Sequence, residues 1–334
     1  MDKIKKVMEA YKVYPIRTEK ITERLYRVND GQRDYALKMS KLNEANIEKW
    51  QNVYYLANEK NLSEIVPVYL TKNGKLFEKF NEAFFYLTPW IDIPARGNDE
   101  NTIKNTMHRL ASVHEKTKNS QRISSEKLKE NFHTYQTFCK QLPSELLSII
   151  RQFEGNRYMS PFELLVCTQY RDLEYATNAN NELINDFLEQ NEAHIPWNRC
   201  LCHGNLRKEH IADRHLLNWE NAGYDLPATD LAVYFSHLTG NYDQPVETIT
   251  EGFKIYKEKN DLSGPEMQLL SIYLFNPSSY ITIVRDYMGR SSTKPMTDQI
   301  TELQQQYRKI LFAIKWRKFI REEYESISFD NSAT

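Results

Sequence analysis

From Ile21 to Ile91 apolar and polar positions alternate in short runs, each closed by a turn signal. Ile21–Val28 alternates approximately at period two, Asn29-Asp30-Gly31 supplies a turn, and Asp34–Met39 resumes as the return strand. Lys38 falls near the end of this hairpin. The spacing changes between Asn43 and Lys60, where Ile47, Trp50, Val53, Tyr54 and Ala57 recur every three or four residues and predict a helix. Val66–Thr71 and Lys75–Phe80, joined by Lys72-Asn73-Gly74, read as two further strands. Ala83–Ile91 is a fifth apolar run, ending before Pro94.

After Pro94 the pattern becomes helical. Asn101–Lys116 places Ile103, Met107, Leu110 and Ala111 on one side, with His114 beside them. Ser160-Pro161-Phe162-Glu163 is a helix start, with a serine cap, proline in the first turn and glutamate three residues after the cap. That helix is predicted to run to Gln190, and Ser263-Gly264-Pro265-Glu266 repeats the same signal. Thr297–Tyr324 reads as a long amphipathic helix carrying Ile300, Leu303, Tyr307, Ile310, Leu311 and Ile314. The order gives an α+β chain: a five-stranded N-terminal lobe with one helix over 1–91, a linker near Ile91–Pro94, and a mainly helical lobe over 92–325. A strand-loop-strand insert sits at 200–220, and a polar tail occupies 326–334.

Composition adds exclusions. The 334 residues carry a formal charge of −1, which gives no overall pull toward nucleic acid or an anionic membrane. No apolar run reaches the ~18 residues of a spanning helix. Met1-Asp2-Lys3-Ile4-Lys5-Lys6 lacks the apolar core of a signal peptide, so synthesis in the cytoplasm is expected. Glycine, at 10 residues, is scarce for phosphate-cradling loops. Cys200-Leu201-Cys202-His203 invites a metal reading, but zinc takes four ligands, usually from two separated pairs. The sequence offers no second pair, and buried thiols on a strand are the expectation.

The densest chemistry lies in Cys202-His203-Gly204-Asn205-Leu206, with His210 just beyond, followed by Leu217-Asn218-Trp219-Glu220. It has the layout of a phosphotransfer loop and metal strand, in an order that suits a two-lobed phosphotransferase. Five strings in sequence then resemble the aminoglycoside phosphotransferase and choline kinase superfamily. Tyr35-Ala36-Leu37-Lys38 resembles the strand with the ATP-binding lysine, and Tyr86-Leu87-Thr88-Pro89-Trp90-Ile91 the hinge that touches adenine. Leu110-Ala111-Ser112-Val113-His114 resembles the helix after the hinge, and His203-Gly204-Asn205-Leu206 the His-Gly-Asp-Leu catalytic loop. Asn218-Trp219-Glu220, with Gly223-Tyr224, Pro227 and Asp230-Leu231-Ala232, resembles the metal strand and the helix behind it. Within the superfamily the chain is most similar to the spore coat protein S family of endospore-forming bacteria. The resemblance implies a bilobal protein-kinase-like fold, with a small antiparallel-sheet N-lobe and a larger, mainly helical C-lobe. It also implies a vestigial nucleotide site at Lys38, Leu87 and Pro89, with Glu48 or Glu44 as the partner of Lys38. Structural roles follow for His203 and for Asp230, which would brace the loop.

The active positions nevertheless hold the wrong groups. Where the superfamily uses aspartate, asparagine and aspartate, this chain has Asn205, His210 and Asn218. An amide cannot accept the substrate proton, and loss of a general base costs about 10²–10⁴ in rate. Mg²⁺ prefers hard oxygen ligands, typically one or two carboxylates with phosphate oxygens. Asn218 is neutral, and the His210 nitrogen suits Zn²⁺ or Cu²⁺ better. No catalytic residue and no cofactor is therefore expected. Glu220, two residues past Asn218 and on the same face if the segment is a strand, is the one candidate for a rescuing metal ligand, with Glu209 or Asp213 assisting. The alternative for Glu220 is a solvated or salt-bridged acid. Asp30, in the single-glycine turn 28–33, would repel a triphosphate. A pseudokinase with a structural or scaffolding role is the expected function, among other spore coat proteins by resemblance, with no nucleic-acid or membrane partner. The alternative is an active small-molecule phosphotransferase using ATP, Mg²⁺ and a rearranged metal site.

Overall fold

A computed structural model describes residues 2–92, 100–189, 194–212, 214–240 and 246–325. The chain divides into two compact units, 1–118 with 200–225, and 119–199 with 226–334. The first therefore takes in the helix after the hinge and the loop region, rather than ending at residue 91. Ile93 and Pro94 of the expected linker, and the tail 326–334, lie outside the described residues.

In the first unit, helix α1 (Asp2–Ala10) precedes a five-stranded antiparallel sheet: β1 (Arg17–Lys20), β2 (Leu25–Asn29), β3 (Asp34–Met39), β4 (Glu78–Phe80) and β5 (Ala83–Pro89). The order is β1-β2-β3-β5-β4, with helix α2 (Ile47–Glu59) inserted after β3. Five strands are present, although not the five expected. β1 replaces Val66–Thr71, which forms no strand. Pro67 has no N–H to give a ladder, and the Val66 N–H goes instead to Leu216 O. That stretch and α2 enclose a cavity of about 650 Å3 lined by Tyr54, Leu62, Val66 and Leu76 among others.

The period-two alternation of β3 and β5 sorts their side chains between two faces. Leu37 and Leu87 are opposite one another in the ladder and join Val28, Phe85, Val7, Met8 and Ala10 of α1 and the adjoining Tyr11 in one apolar core. The next pair, Lys38 and Tyr86, points the other way. Tyr86 packs there against Trp50 of α2, ring centroids 4.9 Å apart. Helix α3 (Glu100–Thr117) completes the first run, and residues 200–225 return to this unit.

The second unit opens on β6 (Asn119–Ser124), which pairs with residues 194–199 of β7 (His194–Cys202). Helices α4 (Ser125–Glu154) and α5 (Pro161–Leu188) pack as an antiparallel pair, Phe132 meeting Phe187 and Asn181 bonding Cys139 O. The start signal at Ser160 is a complete capping box, and so is that at Ser263. Helices α6 (Pro227–Thr239), α7 (Val246–Lys259), α8 (Gly264–Leu274), α9 (Ser278–Met288) and α10 (Met296–Ile320) follow. Phe235, Phe253, Phe312 and Trp316 from α6, α7 and α10 form an aromatic core, and the Trp316 indole donates to Ser271 Oγ. No helix among the described residues is long and apolar enough to cross a membrane.

Candidate functional site

The first unit assembles six of the residues singled out from sequence: Lys38, His203, Asn205, His210, Asn218 and Glu220. β7 contributes Cys200–Cys202 to this unit, paired with strand β8 (Gly223–Asp225), and the loop leaves from Cys202. Gly204 has φ +75°, and a Cβ there would stand 2.5 Å from Asn221 O. A glycine is required by that close approach as much as by the backbone angle. Lys208–His210 form a 3-10 turn, and a lone bridge joins Ile211 to Leu216.

The segment carrying Asn218 and Glu220 is not the strand expected. Asn218 takes a left-handed backbone (φ 64°), a conformation asparagine tolerates better than most residues, and Trp219–Asn221 form a 3-10 turn. Both side chains nevertheless reach Lys38. The Lys38 ammonium donates to Asn218 Oδ1 and forms an ion pair of 3.0 Å with Glu220 Oε1. Tyr86, one face-position across the ladder from Lys38, donates its hydroxyl to the same Glu220 oxygen at 3.0 Å. Glu220 is thus held in an ion pair with Lys38.

The rest of the network follows from donor and acceptor inventory. An ammonium only donates, so the Asn218 oxygen faces Lys38 and its Nδ2 faces His210 Nε2, 2.8 Å away. His210 Nε2 must accept, which leaves the proton on Nδ1, 2.8 Å from Asn205 O. His203 is fixed in the same manner: Nδ1 accepts from the Asn205 N–H at 3.3 Å, and Nε2 donates to Leu217 O at 2.8 Å. Burial, then the electrostatic influence of the His203 ring and the charges of Arg207 and Lys38, hold the His210 pKa down at about 3, against the opposing bond to Asn205. Burial also lowers the Lys38 pKa, opposed by Glu220. Burial and the Glu220 charge push the Tyr86 phenol well up, so it stays a donor.

This donor set does not fit Mg²⁺. The three degenerate positions present an amide, an imidazole nitrogen and an amide, and the oxygen of Asn218 already receives an ammonium. The nearest carboxylate, Glu220, gives one oxygen to both Lys38 and Tyr86 and receives the Lys41 N–H on the other. The turn that would cover phosphates is closed as well. Asn29 Oδ1 accepts from the Gly31 N–H, and Asp30 Oδ1 accepts from Gln32 and Arg33 N–H. Backbone donors that a phosphate would need are taken by the chain's own side chains.

The remaining expected residues are placed as follows. Lys38 pairs with Glu220 rather than with Glu44 or Glu48: Glu44 is held by Lys79 at 2.7 Å, and Glu48 is exposed on α2. Leu87 is buried in the core against α1, so its side chain has no surface to offer a nucleotide. Pro89 ends β5, half-buried opposite Tyr35. Arg207, Lys208 and Glu209 are exposed, and Asp213 lies outside the described residues. Asp230 belongs to the second unit, fully buried in the first turn of α6. Sequence reasoning missed Tyr86, whose signal was its ladder position beside Lys38, and the Asn29 and Asp30 side chains as backbone acceptors.

The model of the family described as "Spore coat putative kinase YutH" matches residues 4–315. No curated protein matches the chain. Among solved structures, an aminoglycoside phosphotransferase from Alicyclobacillus acidocaldarius subsp. acidocaldarius DSM 446 is similar with a TM-score of 0.72 at 16% identity, over 95% of this chain and 96% of that one. The AMP-bound spectinomycin phosphotransferase APH(9)-Ia gives 0.57 at 13%, over 91% and 95%. A microcompartment-associated aminopropanol kinase gives 0.55 at 11%, over 94% and 97%. At such identities the likeness shows the fold, that of the aminoglycoside phosphotransferases, with its antiparallel N-lobe and mainly helical remainder.

Proposed function

The chain belongs to the spore coat putative kinase YutH family, and from that premise we propose a kinase-fold pseudoenzyme that serves the spore coat as a structural or scaffolding component. Its partners in this reading are other coat proteins, and it reaches the coat after synthesis in the cytoplasm. No nucleotide and no Mg²⁺ take part in this reading. One observation carries the reading. The ammonium, amide and imidazole that occupy the phosphate-handling positions bond to one another and to Glu220, in a closed chain from Glu220 through Lys38, Asn218 and His210 to Asn205 O. Lys38, Asn218 and His210 must break these bonds before they can hold a ligand. Kinase lobes keep broad surfaces for recognition when catalysis is gone, since fold does not dictate function.

Glu220 favours a second reading. It is a carboxylate beside Lys38, and if it turned away from the lysine it would supply one hard oxygen to a rearranged metal site for ATP. Thermal unfolding with millimolar ATP, with and without Mg²⁺, separates the two. Ligand at 100 times its dissociation constant stabilises by about 2.7 kcal/mol, a shift of several degrees in a chain of this size. No shift is expected under either condition. A Mg²⁺-dependent shift that disappears in Glu220→Ala would establish the phosphotransferase reading in its place, and a metal-independent shift would make the protein a nucleotide sensor.

A further inference from the structure

We propose that His114, Cys200 and Cys202 together bind one zinc ion in the first unit. The sequence pointed to Cys200, Cys202 and the adjoining His203, and offered no second separated pair. The structure takes His203 out of that set, because both its ring nitrogens are engaged by Leu217 O and the Asn205 N–H. It brings in His114 from the last turn of α3. One ligand atom from each of His114, Cys200 and Cys202 lies within 4.8 Å of the other two.

The spacing suits a shared ion. Cys200 and Cys202 are two apart on β7, so both thiols leave the same face, and their sulfurs stand 3.6 Å apart. Two thiolates at the usual zinc–sulfur distance of about 2.3 Å in a tetrahedral site are separated by about 3.8 Å. A disulfide would need roughly 2.05 Å, and residues i and i+2 of an extended strand sit at the far edge of the Cα range it allows. The three ligands also ride on elements tied to each other. The Leu201 N–H donates to Thr117 Oγ1 at 3.0 Å, fixing β7 to the end of α3, and Cys200 and Cys202 are paired with Asp225 and Gly223 of β8. Sites on regular elements hold their geometry better than sites on loops.

Charge selects the metal. His114, Cys200 and Cys202 are 0%, 0% and 3% exposed. A divalent ion with two thiolates and a neutral imidazole has no net charge, which removes most of the cost of placing it in an interior. Copper(I) in the same donors would leave a buried negative charge. Three protein ligands are the number zinc keeps where its fourth position is left to a small ligand. Cys202 directly precedes His203 and Gly204, so the ion would clamp the entry of the degenerate loop to α3 and hold by coordination a shape that no longer needs catalytic bonds.

Elemental analysis of the full-length chain, purified without chelator, is expected to find about one zinc per chain. Replacement by cobalt(II) should give thiolate-to-metal charge transfer in the near ultraviolet together with tetrahedral visible bands. The Cys200→Ala/Cys202→Ala variant should lose about nine-tenths or more of the metal, with Cys139→Ala/Cys167→Ala retaining it. Should the first variant fail to fold, thiol titration of folded Cys139→Ala/Cys167→Ala decides: withdrawal of zinc by a chelator should coincide with the appearance of its two remaining thiols, Cys200 and Cys202. A metal-free chain that takes up no cobalt on refolding overturns the site, as does zinc retained by Cys200→Ala/Cys202→Ala. Copper in place of zinc overturns the charge argument and the metal assignment with it.

Discussion

Lys38→Met is expected to destabilise the chain by about 3 kcal/mol, at the low end of what breaking a buried ion pair costs. The lysine and Glu220 side chains are 23% and 10% exposed, so solvent screens part of the interaction and the lower figure applies. Removing the ammonium strands the Glu220 carboxylate beside the raised-pKa phenol of Tyr86, and leaves Asn218 Oδ1 without its donor. Lys38→Met/Glu220→Leu removes the stranded charge together with its partner and should recover most of the loss, since replacing both members of such a pair by apolar groups is often neutral. Urea denaturation at pH 7 measures both, and the cycle isolates the coupling. A lysine whose task was to hold phosphates would show the opposite pattern: near-native stability on replacement, with loss of turnover. A Lys38→Met change within about 0.5 kcal/mol of the parent would remove the ion pair from the structural core.

Acid should weaken the fold through His210 well before most carboxylates are protonated. Its folded pKa is held at about 3, while the unfolded chain titrates near 6.5. Between those values the unfolded state binds a proton that the native state refuses. Stability therefore rises with pH across that window and is lost as pH falls through it, at up to about 1.4 kcal/mol per unit. Above about 6.5 the imidazole is neutral in both states and the slope vanishes. The groups that oppose its protonation are the His203 ring, Arg207 and Lys38, and Asn218 Nδ2 already occupies its acceptor. His210→Asn should flatten the stability profile between pH 6 and 4 relative to the parent, even if it lowers the plateau. Parallel profiles for the two chains would show that His210 does not titrate against folding.

How far the sequence carried depended on whether the deciding interaction was local. Ser160 and Ser263 announced α5 and α8 because a capping box is written within four residues. α4 was not legible: Pro143 in its middle reads as a break, and only the packed helix shows Leu142, Leu146, Ile149 and Phe153 continuing one buried face past it. α1 spans only about two and a half turns, and its apolar side means little until Phe85 and Leu87 are seen beneath it. The site divides in the same way. Substitution of Asn205, His210 and Asn218 was visible in the motif, but the residue that Lys38 meets was not. Glu220 is 182 positions away in the chain and reaches Lys38 through the left-handed backbone of Asn218, which no periodicity encodes. His114 and the two cysteines are another such case, assembled by the Thr117 bond to β7.

Phosphate release from labelled ATP, followed over a range of concentrations of the purified full-length chain with millimolar Mg²⁺ and hydroxylated or amino-containing acceptors, bears most directly on whether the substituted site is closed to chemistry. The expected rate is that of buffer alone, identical for the parent chain and for Glu220→Ala. Release that scales with protein concentration, requires Mg²⁺, collapses in Glu220→Ala and leaves label on an acceptor would contradict it.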